Sequence, residues 1–288
     1  MKTLLKGAPV AEKIIQQAKE RADKLKENGI IPTLAAIRVG ERDGDISYER
    51  GAEKRCAAAG VDFRKVILPA DTDTDEYLRQ IRELNENPGV HGILMFLPLP
   101  DGLDENRIRR EMRFEKDVDG CTAGSAAGVF TGKKEGFPPC TAQAAMEILD
   151  YYGIACEGKK AVVAGRSLVV GRPAAMMLLQ RNATVTVCHS RTADLAGEIR
   201  QADIAVIAIG KMESLGGECF REGQTVIDVG IHWNEEKNKL CGDIRFEEAE
   251  PVVDAVTPVP GGVGAVTSSI LALHTVEAAE RMTEDRKE

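Results

Sequence analysis

The stretch AVVAGRSLVVGRP, residues 161–173, decides how the second half of this chain folds. Its first residues form an apolar run typical of a buried parallel strand, and the run ends at Gly165. A second glycine, Gly171, opens a segment with helical spacing. A strand, a glycine turn and a helix in this order direct the amides of the helix start towards a pyrophosphate. The spacing is not GxGxxG, so an ordinary tight turn between strand and helix stays open as an alternative.

The end of the next expected strand bears on which dinucleotide would bind. Strand 183–189 is followed by Ser190, Arg191 and Thr192, and no acid appears before Asp194. An NAD site usually carries an acid in this place, which binds the ribose 2′-hydroxyl. A hydroxyl and a guanidinium suit a 2′-phosphate through charge-assisted hydrogen bonds. The segment therefore predicts NADP rather than NAD, the alternative being that it only caps the following helix.

Strands and helices alternate on both sides of this turn, which predicts an α/β protein with mostly parallel sheets. The expected strands are 33–40, 61–69, 92–100, 159–165, 183–189, 203–210 and 224–231. The expected helices are 8–28, 46–59, 73–87, 172–182, 193–202 and 265–282. A hairpin turn is expected at 234–239, where NEEKNK separates apolar segments.

The alternation restarts in the middle of the chain, which indicates more than one domain. With 288 residues, the chain has about the length of two compact domains. We predict a first α/β domain over residues 1–140 and a nucleotide-binding domain over residues 141–264. The last helix, 265–282, is expected to pack back on the first domain.

Composition excludes several classes of protein. The net charge of −8 argues against nucleic-acid or anionic-membrane binding, which needs a basic face. No segment has the length or apolarity of a signal peptide or a membrane span. The seven cysteines are scattered, without CxxC or Cys/His pairs at metal spacing, so we expect reduced thiols in a cytoplasmic protein and no metal site.

Several further stretches extend the interpretation over nearly the whole chain. In order, they are VGERDGDISYERGAEKRCAAAG (39–60), GILMFLPLP (92–100), EKDVDG (115–120), PPCTAQ (138–143), AGRSLVVGRP (164–173), CHSRT (188–192), VIDVGI (226–231), GD (242–243) and TPVPGGVGAVT (257–267). With these motifs the chain resembles the methylenetetrahydrofolate dehydrogenase/methenyltetrahydrofolate cyclohydrolase family. KDVDG and PVPGGVG together are highly specific for it.

The resemblance implies a fold and an activity. An α/β folate domain and a Rossmann-type NADP-binding domain enclose a cleft in this family, whose members are commonly homodimers. The implied reaction is oxidation of 5,10-methylenetetrahydrofolate by NADP+ to the 5,10-methenyl cation. In most members, water then opens the cation to 10-formyltetrahydrofolate. The expected partners are therefore tetrahydrofolate derivatives and a second copy of the chain.

The resemblance also implies the site residues. Tyr48 matches the tyrosine that lies against the folate rings, and Asp119 matches the carboxylate that holds the pterin; these two are the predicted catalytic residues. For Asp119, a simple turn residue is the alternative. The predicted substrate contacts are Tyr48, Leu97, Pro98, Asp119, Pro260, Gly261 and Gly262, the last three in a loop that could also be a helix-entry turn. The predicted cofactor contacts are Gly165, Arg166, Ser167, Gly171, Ser190, Arg191 and Ile231.

Two positions depart from the family pattern. A lysine usually follows the tyrosine one helical turn later, where this chain has Ala52. A glutamine usually precedes Leu-Pro-Leu and bonds that lysine, and here Phe96 stands in its place. Residues 121–128 also differ, and Ala142 and Ala265 stand where prolines are common.

The paired departure affects proton transfer more than hydride transfer. Hydride transfer needs mainly orientation and a dry site, whereas attack by water is helped by a positioned base. We therefore expect a dehydrogenase whose cyclohydrolase activity is absent or much reduced. The alternatives are a bifunctional enzyme and a non-catalytic protein that binds NADP or folate.

Overall fold

The computed structural model describes residues 2–284 and divides into two compact units. The six-stranded unit contains the chain up to Ala11 and Thr141–Thr267. The three-stranded unit contains Glu12–Cys140 and the chain from Ser268 onwards. The units are named after their main sheets. The assignment of 1–140 to folate and 141–264 to NADP stays a prediction.

The helices and strands are as follows. The α-helices are α1 Gly7–Glu27, α2 Asp43–Ala58, α3 Thr74–Glu86, α4 Glu105–Glu111, α5 Ala123–Thr131, α6 Cys140–Tyr151, α7 Gly171–Gln180, α8 Leu195–Gln201, α9 Phe246–Ala249 and α10 Thr267–Glu284. The strands are β1 Thr3–Leu4, β2 Thr33–Val39, β3 Asp62–Leu68, β4 Gly92–Met95, β5 Lys160–Ala164, β6 Thr184–Cys188, β7 Ile204–Ile207, β8 Thr225–Asp228, β9 His232–Asn234, β10 Lys239–Cys241 and β11 Ala255–Val256. Short 3₁₀ turns lie at Phe114–Lys116, Gly217–Cys219 and Val263–Ala265.

The three-stranded unit is built on a parallel sheet with the order β3-β2-β4. Strand β2 is central and almost wholly buried, as its continuous apolar run predicts. Helix α3 starts at Asp73, whose side chain accepts a hydrogen bond from the Glu76 amide. The core on the α3 side of the sheet contains Ala35, Ile37, Val39, Tyr77, Leu78, Ile81, Leu84, Ile93 and Met95.

The last helix belongs to this same unit, which confirms the prediction that it packs back on the first domain. In α10, His274 Nδ1 donates to the Val118 carbonyl oxygen at 2.8 Å. Arg281 donates to the Gly136 carbonyl oxygen, also at 2.8 Å. Near the end of α10, Glu277 pairs with Arg21 of α1 at 3.0 Å. The helix is therefore fixed at several points along its length.

The six-stranded unit has parallel strands in the order β1-β11-β8-β7-β5-β6. Its core includes small and branched residues of β5, β7 and β8, as expected for strands covered on both faces. The β9–β10 hairpin is antiparallel, and its turn lies where NEEKNK predicts one. Both predictions, an α/β class and parallel sheets, are confirmed.

The sequence did not indicate every element. Strand β4 ends at Met95 instead of residue 100, because Pro98 and Pro100 have no amide to donate to a neighbouring strand. Helix α6 was not predicted, since its apolar residues lie on most sides and hide the helical period. Strands β1 and β11 have two residues each, too few to show any alternation. No helix within residues 2–284 is long and apolar enough to cross a membrane.

Asp117 provides a test of what holds the three-stranded unit together. Its carboxylate is completely buried and accepts hydrogen bonds from the Cys121 amide at 2.9 Å, the Thr122 amide at 2.7 Å and Ser125 Oγ at 2.7 Å. Asp117→Ala leaves these donors unpaired, so we expect the free energy of unfolding to fall by about 1.5–3 kcal/mol. Urea unfolding measures it. Asp75→Ala, which removes an exposed partner of Arg107, should change it little, and equal effects of both changes would contradict the argument.

Candidate active site

The turn after β5 is tight because two glycines meet in it. A Cβ atom on Gly171 would lie 2.2 Å from the carbonyl oxygen of Gly165. A Cβ atom on Gly165, where φ is 141°, would lie 2.2 Å from the carbonyl oxygen of Ala208. Ser167 Oγ accepts from the Val170 amide at 3.1 Å and steadies the start of α7. The predicted residues Gly165, Ser167 and Gly171 thus lie together, and Arg166 is exposed beside them.

The ends of β5 and β6 lie side by side, because Ala164 pairs with Cys188 in a parallel register. The HSRT turn follows, and Thr192 Oγ1 accepts from the His189 amide at 2.9 Å. The side chains of Ser190 and Arg191 are exposed and, among residues 2–284, have no hydrogen-bond or ion-pair partner. These donors are therefore available to an anion beside the glycine turn.

A buried carboxylate organises the loops after β7 and β8. Asp243 accepts from the amides of Ile209 at 2.6 Å, Gly210 at 2.9 Å and Lys211 at 3.0 Å. His232 Nε2 also lies 2.7 Å from its Oδ1 atom. Ile231, the predicted cofactor contact before this histidine, is 60% exposed. Its side chain therefore presents an apolar surface at the carboxyl edge of the sheet.

A second buried acid supports the same region. Asp228 ends β8 and accepts from the amides of Gly230 at 3.0 Å, Asp243 at 3.1 Å and Ile244 at 3.1 Å. Burial raises its pKa to about 7. Sequence reasoning did not single out Asp228 or Asp243, although both lie in the stretches VIDVGI and GD that carry the resemblance.

The loop PVPGG lies in the six-stranded unit, where it contacts the start of α1. The Gly7 amide donates to the Gly261 carbonyl oxygen at 2.7 Å. A Cβ atom on Gly7 would lie 2.2 Å from the Gly262 carbonyl oxygen, so only a glycine allows this approach. Pro260 and Gly261 are exposed, and Gly262 is buried. The three predicted substrate contacts of this loop are thus in a different unit from Tyr48 and Asp119.

In the three-stranded unit, Tyr48 and Phe96 pack edge to face, with ring centroids 6.1 Å apart and planes at 85°. Tyr48 is 37% exposed and leaves part of its ring accessible. Burial of the hydroxyl raises its pKa well above the usual value, and the nearby Asp119 carboxylate adds to this rise. Tyr48 is therefore a neutral phenol at physiological pH.

Asp119 is half-buried and has an unusual proton affinity. Burial raises its pKa to about 7, a hydrogen bond from Cys140 opposes the rise, and the charge of Asp117 adds to it. Cys140 Sγ lies 3.3 Å from the Val118 carbonyl oxygen, and burial raises its pKa well above the usual value. Sequence reasoning treated Cys140 only as a packed thiol, although PPCTAQ carried the signal.

The positions that depart from the family pattern face inwards. Ala52 is completely buried, and Phe96 is 5% exposed. Ala52 lies one helical turn after Tyr48 on the same face of α2. Leu97 is partly buried against the core of this unit. Pro98 is exposed, and its carbonyl oxygen accepts from Arg42 at 2.9 Å.

Chemically, the two units offer different sites. Within residues 2–284, no group of three His, Cys, Asp or Glu side chains is arranged to hold a metal ion. The six-stranded unit offers glycine-turn amides together with Ser190 and Arg191, whose side chains have no partner in the described part of the chain, and these groups fit a phosphorylated dinucleotide. The three-stranded unit offers an aromatic face and a carboxylate with high proton affinity, which fit a flat ligand with a donor edge.

A parallel sheet with a glycine turn between β5 and α7 defines a Rossmann-type dinucleotide-binding unit. Residues 139–283 match the family model for the tetrahydrofolate dehydrogenase/cyclohydrolase NAD(P)-binding domain. Residues 5–119 match the catalytic domain of the same family. The chain therefore belongs to the tetrahydrofolate dehydrogenase/cyclohydrolase family, and the resemblance found in the sequence is confirmed.

Curated relatives and solved structures agree with this membership. The bifunctional protein FolD of Carboxydothermus hydrogenoformans is 50% identical over 277 residues, or 96% of each chain. The Campylobacter jejuni bifunctional enzyme FolD shares 40% identity and a TM-score of 0.94, with 98% of this chain and 99% of that chain covered. The Trypanosoma brucei enzyme, solved with NADP and an inhibitor, shares 34% identity and a TM-score of 0.91, with 98% of each chain covered.

Proposed function

We propose that this protein is an NADP-dependent dehydrogenase that oxidises 5,10-methylenetetrahydrofolate to 5,10-methenyltetrahydrofolate. The observation that carries the proposal is the presence of a partly exposed Tyr48 ring and a nearby Asp119 carboxylate in one unit. A pterin has a flat face for the ring and a donor edge for the carboxylate. Family membership and the dinucleotide turn in the other unit support the other part of the proposal, which is NADP+ as the hydride acceptor.

The chain's residues have distinct roles in this reaction. Tyr48 packs against the pterin, and its raised pKa keeps it neutral. Asp119 accepts hydrogen bonds from the amide-like edge of the pterin and orients the methylene carbon. Leu97 and Pro98 line the substrate, as do Pro260, Gly261 and Gly262. When bound, NADP+ supplies the hydride acceptor.

The cofactor-binding roles follow from the six-stranded unit. Gly165 and Gly171 allow the backbone to approach the pyrophosphate, and Arg166 and Ser167 lie in the same turn. Ser190 and Arg191 have no protein partner among the described residues and suit the 2′-phosphate. The exposed Ile231 side chain would contact the nicotinamide. We therefore propose NADP+ as the preferred cofactor.

We further propose that cyclohydrolase activity is absent or much reduced. Water that attacks the methenyl carbon must lose a proton, and a positioned base contributes typically about 10²–10⁴-fold. Ala52 has no proton acceptor, and Phe96 has no amide to orient one. Tyr48 and Cys140 hold their protons because burial raises the pKa of both.

A second candidate, the bifunctional enzyme, is supported by two observations. The curated relatives are named as bifunctional proteins. Asp119, with a pKa of about 7, has the proton affinity of a general base. In the first candidate, the pterin occupies the Asp119 carboxylate, so this side chain binds substrate and does not activate water.

The remaining features of the proposal concern assembly and location. We propose a homodimer, a cytoplasmic location and no nucleic-acid partner, the last in line with the net charge of −8. Residues 1–140 with the last helix would bind folate, and residues 141–264 would bind NADP.

The first prediction tests the reaction and the cofactor together. With 5,10-methylenetetrahydrofolate, wild-type protein should reduce NADP+ with a lower KM than NAD+, measured by nicotinamide absorbance. Ser190→Asp should raise the KM for NADP+ by about tenfold or more through repulsion of the 2′-phosphate and spare NAD+. Thr186→Asp, an exposed change on β6, the strand that precedes this turn, is the control. No hydride transfer with either cofactor would contradict the proposed function.

The second prediction concerns pH. The pterin edge donates hydrogen bonds, so the ionised form of Asp119 binds, and the folate KM should rise as pH falls below about 7. Asp119→Asn should raise the folate KM by roughly 10–100-fold, because a charge-assisted acceptor is lost. It should also abolish the pH dependence and leave the KM for NADP+ unchanged. A wild-type folate KM that stays constant across this pH range would rule out the assigned role.

The third prediction concerns hydrolysis. Wild-type protein should release the methenyl compound, whose absorbance persists where spontaneous hydrolysis is slow. Ala52→Lys alone should restore little hydrolysis, because the ammonium group meets the Phe96 ring. Ala52→Lys with Phe96→Gln should restore more than the two single changes together, as expected for residues that act as a unit.

The control for the third prediction is Ala57→Lys, which adds a lysine on the exposed side of α2 and should restore nothing. If the unmodified protein hydrolyses the methenyl compound as fast as it forms it, the second candidate, the bifunctional enzyme, replaces the first.

A further inference from the structure

A buried ion pair includes Glu49, the residue that follows Tyr48, and the proposed reaction assigns it no role. Arg38 Nε donates to Glu49 Oε2 at 2.9 Å. The side chains are 7% and 5% exposed, so both charges are almost entirely removed from water. Glu49 follows Tyr48 in the chain, and Arg38 lies near the carboxyl end of the central strand β2.

Stability alone does not account for such a pair. Removing two charges from water costs free energy that their attraction often fails to offset. Apolar side chains of similar volume commonly serve as well or better in such places. What an ion pair adds is direction, because its hydrogen bond requires a defined geometry and apolar packing does not. The pair therefore points to a need for accurate placement near Tyr48.

The inner face of helix α2 offers few large side chains for packing against the sheet. Its buried residues are Glu49, Ala52 and Cys56, which recur at helical spacing on one face. Two of these side chains are small and provide little packing surface against the sheet. The N-cap residue, Arg42, makes no side-chain capping bond to the helix start. The bond between Arg38 and Glu49 is thus the main directional link from the inner face of α2 to β2.

Arg38 also connects the parts of the site that surround Tyr48. It donates a hydrogen bond to the Gly40 carbonyl oxygen, in the loop that leads from β2 to α2. The residue before it, Ile37, accepts the Phe96 amide at 3.3 Å. Phe96 in turn contacts the Tyr48 ring. The guanidinium therefore links the loop to the helix, while the neighbouring residue of the same strand holds the backbone of the aromatic contact.

We propose that Arg38 and Glu49 are positioning residues that hold the Tyr48 ring against Phe96 in the orientation that folate binding requires. This inference rests on the proposed function, since it assumes that Tyr48 contacts the folate rings. Lys65 gives outer support, as its Nζ atom lies 3.6 Å from Glu49 Oε1 and 2.6 Å from Glu53 Oε2. It is 36% exposed and plays the lesser part.

The experiment compares loss of the charge with loss of the packing. Glu49→Gln keeps the size of the side chain and leaves the Arg38 guanidinium without its ionic partner. The double variant Arg38→Met with Glu49→Leu removes both charges and fills the same space with apolar side chains. The control, Arg21→Met, breaks the half-buried pairs to Glu277 and Glu280 in the same unit, away from α2. Thermal unfolding, kcat, and KM for both substrates are measured for each protein.

We expect Glu49→Gln to raise the folate KM by about tenfold or more, because small displacements of contact groups weaken productive binding. The KM for NADP+ should stay within about twofold of wild type, because the predicted cofactor contacts lie in the other unit. The double variant should recover the thermal stability of wild type and still show the raised folate KM. The control should lose stability and keep the wild-type folate KM.

Two results would overturn the inference. One is a double variant with both wild-type stability and a wild-type folate KM, which would show that packing alone places Tyr48. The other is a folded Glu49→Gln protein whose folate KM is unchanged. If Glu49→Gln does not fold, the folate KM of the double variant decides whether the inference holds. Calorimetric titration of wild-type protein with tetrahydrofolate separates the two proposals, because absent binding there contradicts the proposed function itself.

Discussion

Buried carboxylates that accept backbone amides hold the loops on which both candidate sites depend. An amide in a loop at the end of a parallel strand has no partner in the sheet, and leaving it buried and unpaired is unfavourable. Asp243 accepts three consecutive amides, from Ile209 to Lys211, and also contacts His232. Asp117 does the same for the loop that precedes α5. Each acid removes several unpaired donors at once and thereby fixes the course of its loop.

The acids of the DVDG segment show how neighbouring carboxylates acquire different roles. The Asp117 carboxylate accepts hydrogen bonds from two backbone amides and from the Ser125 hydroxyl, and these bonds stabilise the local course of the chain. Asp119, two positions later, is half-buried, and burial raises its pKa to about 7. Because Asp117 already accepts the hydrogen bonds of the loop donors, the Asp119 carboxylate can accept hydrogen bonds from a ligand. The environment, and not the residue type, therefore separates the buried anchor from the acid proposed to bind the pterin.

The sequence predicted the elements whose patterns are strong, and it failed where patterns are weak or non-local. The run TLAAIRV and the turn between Gly165 and Gly171 are local signals, and the structure has a buried strand and a tight turn there. The two-residue strands β1 and β11 exist only because distant segments pair, so no local signal could reveal them. Asp243 contacts amides more than 30 positions away, and the Arg38–Glu49 pair joins a strand to a helix. Such partners become visible only in three dimensions.

The distribution of charge around Tyr48 suits the formation of a cation, which is the step that the proposed dehydrogenase reaction requires. Loss of hydride from the methylene carbon leaves a positive charge on the folate nitrogens. Tyr48 and Cys140 are neutral because burial raises the pKa of both, and the charge of Arg38 is balanced by that of Glu49 in their ion pair. The carboxylate of Asp119 is then the group near Tyr48 whose charge changes around neutral pH and can favour the cation electrostatically. Under the proposed function, a lysine at position 52 would add a positive charge or a base to this arrangement, which the side chains of Ala52 and Phe96 do not supply.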